Sequence, residues 1–128
     1  MSKFDDELKN MPAGLDRAIL RVLSYHTGRD QAIGRNDLVH DVGRLGVQVT
    51  ERQLREEIKQ LRRQGHLICS AAGETGGYFF AVSRMEFDAF VDQEYLAKIR
   101  DMSETLKAME ASAVREFGYA QAGQPALF

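Results

Sequence analysis

Between Thr50 and Gly65 the sequence sets Arg52, Arg55, Lys59 and Arg62 at steps of three and four residues. On a helix turning about 100° per residue, these cations share one face, offset from Leu54, Ile58 and Leu61. Such a face suits anions, because the arginine fork donates two parallel hydrogen bonds to a phosphate or a base edge. The same stretch also contains Glu51, Glu56 and Glu57. Arg52 and Glu56 form an i,i+4 pair, so a solvated, ion-paired surface is the alternative reading. Arg62 and Arg63 would complement the helix C-terminus under either reading.

A second candidate lies at "GQPALF". An extended peptide there would offer Leu127 and Phe128 to an apolar pocket. Gln124 would add a fixed hydrogen-bonding amide, and Pro125 would lower the ordering cost. The preceding "GYAQAG" has linker composition, as a tethered docking peptide requires. The alternative is that Leu127 and Phe128 pack in a groove on the body or on a dimer mate.

Other chemistry finds little support. His66 and Cys69 are spaced like half a metal site, but no second close pair completes the ligand set, and Cys69 sits in an apolar run. The glycine-rich "AGETGG" lacks the Lys-Ser/Thr ending of a phosphate loop and does not open a helix. Carboxylates occur on charged helical faces without a catalytic arrangement. The expectation is a protein that is not an enzyme and uses no metal or cofactor.

Composition sets the wider bounds. The 128 residues suit one domain, or one domain with an appendage, and 44% hydrophobic with 28% charged residues permits a true core. Net charge is −2, so binding by a global basic field is excluded. Residues 12–82 are nevertheless net +2, and residues 83–128 net −3. One cysteine cannot form an intramolecular disulfide, and no signal peptide or membrane-spanning run is apparent, so a cytoplasmic protein is expected.

Periodicity places these residues on elements. Leu15, Ile19 and Val22 begin a first helix, with Gly28 as its expected stop, and "QAI" at 31–33 reads as a connecting strand. Leu38, Val42 and Leu45 mark a second helix closed by Gly46. Thr50 and Gln53 form a capping box for the third, with Val49 and Leu54 as its hydrophobic staple and Gly65 as its end. The period then changes to that of strands at "HLICS" and "YFFAV", joined by "AAGETGG". Ser83 and Glu86 repeat the capping box, stapled by Val82 and Phe87. From Tyr95 through Ile99, Met102, Leu106 and Met109 to Ala113 the apolar steps are 4, 3, 4, 3, 4, the seam of a coiled coil. That seam is expected to form a homodimer, the alternative being a helix folded back on the core.

Helix, short strand, helix, turn, helix and hairpin is an order that resembles the winged helix-turn-helix proteins of bacteria and their phages. The resemblance covers residues 12–82 and rests on "GRNDLVHDVGRLGVQVTERQLREEIKQLRRQGHLICSAAGETGGYFFAV". It implies a mainly α fold with a small β-hairpin, the third helix entering the major groove of duplex DNA and the hairpin lying over adjacent backbone. Gln48, Thr50, Arg52 and Arg55 would then lie nearest the DNA, with Lys59 and Arg62 further along. Arg35 is a candidate phosphate ligand. The wing departs from the pattern: it has no Lys or Arg and contains Glu74, so its contacts would fall to backbone N–H groups, Ser70 or Thr75. "QPALF" resembles the pentapeptide by which bacterial proteins dock on the replication sliding clamp, with Pro125 where leucine is commoner.

The expected organisation is a flexible lead-in (1–11), a winged helix-turn-helix domain (12–82), a long dimerising helix (83–117) and a flexible tail with the QPALF peptide (118–128). The expected function is duplex DNA binding in replication or transcription control. The alternative is an interaction adaptor that works through the long helix and the tail.

Overall fold

The computed structural model describes residues 11–71 and 76–119. The chain divides into two compact units between Phe90 and Val91. The first unit is built on α1 (Leu15–Leu23), α2 (Arg35–Arg44) and α3 (Glu51–Arg63). A 3₁₀ turn (Arg29–Gln31) and β1 (Ile33–Gly34) lie between α1 and α2. After α3 come β2 (Ile68–Ser70), β3 (Gly77–Phe80) and α4 (Arg84–Phe90). The second unit holds a π-helical segment (Val91–Leu96) and α5 (Ala97–Phe117). The chain is therefore mainly helical with a small antiparallel sheet and a long C-terminal helix. Among the described residues, no helix is long and apolar enough to cross a membrane.

The core of the first unit forms where the apolar stripes of the three helices meet. Leu15, Ile19 and Leu23 of α1, Leu38 and Val42 of α2, and Leu54, Ile58 and Leu61 of α3 are each at most 2% exposed. Burying a side chain of this size contributes about 1.5–3 kcal/mol, which is why helical spacing alone locates these elements in the sequence. The sheet, ordered β1-β3-β2, covers one end of this core. Ile33 pairs with Tyr78 and Gly34 with Gly77, while Ile68, Cys69 and Ser70 pair with Phe80, Phe79 and Tyr78. Gly77 is required by close approach, since any Cβ there would run into the carbonyl of Ile33.

Several boundaries differ from those the pattern suggests. α1 stops at Leu23, and the backbone tightens through Tyr25 and His26, whose N–H groups donate to Val22 and Leu23. Gly28 serves the sheet instead: with φ 82° it donates its N–H to Phe80 O at 2.8 Å. Only Ile33 of "QAI" reaches a strand, because Gln31 closes the 3₁₀ turn. The long helix is not α-helical throughout. A wider π segment occupies Val91–Leu96 before the α-helix resumes at Ala97.

Both initiation signals act locally, but they act differently. At α3, Thr50 Oγ1 accepts from Gln53 N–H at 3.1 Å and Gln53 Oε1 accepts from Thr50 N–H at 3.0 Å, a complete capping box. At α4, Ser83 Oγ accepts from Glu86 N–H at 3.2 Å, but the Glu86 carboxylate does not return to Ser83. Its Oε1 accepts from Val82 N–H at 3.1 Å, and its Oε2 from Arg29 N–H at 3.0 Å, fifty-seven residues away. Those two backbone donors hold the Glu86 carboxyl below its usual range. The expected staple is not closed, as Val82 is 63% exposed.

Candidate nucleic-acid interface

α3 owes its orientation to its buried face. Leu54, Ile58 and Leu61 fix one side in the core, and the capped start holds the Gln53 amide at 8% exposure against the first turn. The opposite side is then obliged to face solvent. Arg52, Arg55 and Lys59 are all exposed there, as is Arg63. From Arg52 to Arg63 the stripe runs about 16 Å along the helix axis, at 1.5 Å per residue.

The acidic residues of α3 are largely drawn off this stripe. Glu51 pairs with Arg35 at 3.9 Å, joining the starts of α2 and α3. Glu56, at the stripe's border, accepts from Gln60 Nε2 at 3.1 Å. Glu57 is turned toward α1, where burial, reinforced by Asp16 and then Glu56, pushes its carboxyl above the ordinary value. Cations therefore dominate the outer face of α3 although the chain is net acidic.

Arg62 does not belong to that face. Its Nε donates to Ile68 O at 2.7 Å, and its guanidinium lies 5.0 Å from the Phe90 ring centroid and 6.0 Å from that of Tyr78. It is half-buried and joins α3 to β2, β3 and α4, so it is corrected from an anion contact to a structural brace. Arg63 takes its place on the exposed side. The helical wheel alone does not separate the two, since Arg62 falls about 20° from Arg55 and Arg63 about 20° from Arg52.

The remaining candidates are placed as follows. Arg35 is half-exposed at the start of α2, engaged with Glu51. Gln48 is exposed, its amide lying over Gly43. The Thr50 hydroxyl accepts the cap hydrogen bond from Gln53 N–H, which leaves its O–H to donate. Ser70 ends β2, half-buried. Thr75 and the Gln124, Leu127 and Phe128 tail lie outside the described residues.

No family model, no curated protein and no solved structure matches this chain. Its chemistry has to be read from its own side chains. Among the described residues no three His, Cys, Asp or Glu side chains converge as metal ligands. Cys69 is fully buried in β2, and burial pushes its thiol up, with Arg62 opposing in part. His26 Nδ1 lies 2.8 Å from Gln31 O, holding the turn after α1.

In the second unit, the seam residues lie on a helix with no buried side chain from Val91 to Phe117. Tyr95 is 41% exposed, Ile99 58%, Met102 70% and Met109 63%, with Leu106 half-buried between them.

Proposed function

We propose that this protein binds duplex DNA as a homodimer, presenting α3 to the major groove. The observation that carries the reading is the segregation of charge on α3, with Arg52, Arg55, Lys59 and Arg63 outward and the core opposite. Arg35 would supply a phosphate contact in exchange for its weak pairing with Glu51. A stripe of this kind makes local, patterned contacts, consistent with a net charge of −2. Its task in this reading is replication or transcription control, with the QPALF peptide docking on a replication sliding clamp.

A second reading is favoured by the unburied seam of α5: an interaction adaptor in which the first unit is scaffold. Fluorescence anisotropy on a labelled duplex, repeated across salt, separates the two. With about three or four phosphates neutralised by each protomer, log K for the dimer against log salt should fall with a slope near −6. Arg55→Ala with Lys59→Ala removes two cations from each protomer, so it should weaken binding and flatten the dimer's slope by about 4. Unchanged affinity in the double variant would exclude this face and leave the adaptor. Surface plasmon resonance of the full chain, and of a chain truncated after Gly123, on a bacterial clamp tests the tail: loss of binding with the last residues is expected.

A further inference from the structure

The apolar seam of α5 lines an open groove of about 740 Å³ through Ile99, Met102, Leu106 and Met109. A face of this size, left in water on a helix with no buried residue, needs an occupant. We infer that the occupant is a second copy of the same helix, running antiparallel about a two-fold axis beside Glu104. The inference rests on the homodimer reading above and adds its register and direction.

The seam is complementary to its own reverse. Taken equidistantly about position 104, Tyr95 meets Ala113 of the second copy, Ile99 meets Met109, and Met102 meets Leu106. Two-fold symmetry repeats each layer, as an isologous interface requires. The largest side chain faces the smallest, and the inner layers join side chains of middling size, so layer volume stays even. A parallel pair would set Tyr95 on Tyr95 and Ala113 on Ala113, overfilled at one end and hollow at the other.

The flanks agree. Ser103, Thr105 and Ser112 border the seam with short neutral side chains, which lets two backbones approach. The two cations nearest the start of the groove are paired within the chain, Lys98 with Glu94 at 2.7 Å and Arg100 with Asp92 at 3.4 Å, while Asp101 stands at the groove's edge. Antiparallel helix dipoles also oppose one another. A single helix pair of this length is expected to associate weakly, with a dissociation constant on the order of 1 μM.

The test uses the full chain with Cys69→Ala, carrying either Ser103→Cys or Met102→Cys, under mild oxidation, with sedimentation velocity on the unmodified chain. The antiparallel register brings position 103 beside its copy and keeps position 102 against Leu106. Ser103→Cys should therefore give covalent dimer while Met102→Cys stays monomeric. Spin labels at position 97, facing position 111 across the axis, should lie at least about 21 Å apart, from fourteen residues of helical rise. Dimers in which Met102→Cys crosslinks and Ser103→Cys does not would overturn the direction and keep the homodimer. A monomer at all concentrations up to about a hundred times the micromolar expectation would overturn both and give the groove to another partner.

Discussion

α3 and α5 carry the same kind of apolar stripe, spaced at three and four residues, and the chain treats them oppositely. On α3 the stripe is spent inside the protein: Leu54, Ile58 and Leu61 are at most 1% exposed. On α5 the stripe is left outside, with Ile99, Met102 and Met109 more than half exposed. The difference teaches that amphipathic spacing specifies a face to be covered but not what covers it. α1 and α2 are close enough in sequence to cover α3.

The comparison can be broken most sharply by truncation. Ile58→Ala should cost about 2–5 kcal/mol of unfolding free energy by urea titration, since it opens a hole in a closed core. Met102→Ala, measured at a concentration where the chain is monomeric, should stay within about 0.5 kcal/mol. Equal losses would mean that α5 is already covered. Next in size is the pair of arginines seven residues apart on α3. Arg62→Ala should cost about 2 kcal/mol, through its charged hydrogen bond and its two ring contacts. Arg55→Ala should stay within about 0.5 kcal/mol while weakening anion binding.

The smallest effect is electrostatic. Burial and the facing carboxyl of Asp16 raise the Glu57 carboxyl above its ordinary value. The folded state therefore holds that proton more tightly than the unfolded chain. The stability this gives is present in acid and is lost as pH rises through the raised value. Glu57→Gln should accordingly lift Tm by about 1–2 °C at neutral pH, with the gain vanishing below about pH 4, by differential scanning calorimetry. A constant gain at every pH would point to packing rather than charge.

What the sequence disclosed follows the range of the forces involved. The Thr50–Gln53 box closes within one turn, so its two hydrogen bonds could be read from four consecutive residues. The stripes of α1, α2 and α3 were equally plain, because burial imposes a period. Arg62 could not be assigned from its own neighbours: Tyr78 and Phe90 decide its fate, and both arrive through the tertiary fold. Glu86 was seen as a cap, but its second acceptor oxygen is claimed by Arg29 from the far end of the body. The π segment at Val91–Leu96 left no trace in the apolar spacing, because steps of four, Val91 to Tyr95 to Ile99, are equally those of an α-helical face.

The close approach at Gly77 bears on how this protein can change over time. Since no side chain fits between β3 and the Ile33 carbonyl, substitutions at that position are closed to selection while β1 stays paired. Variation in the hairpin is thereby channelled toward its tip. A side chain could enter at position 77 only if β1 gave up its pairing with β3, so the root of the hairpin and the short strand before α2 have to change together.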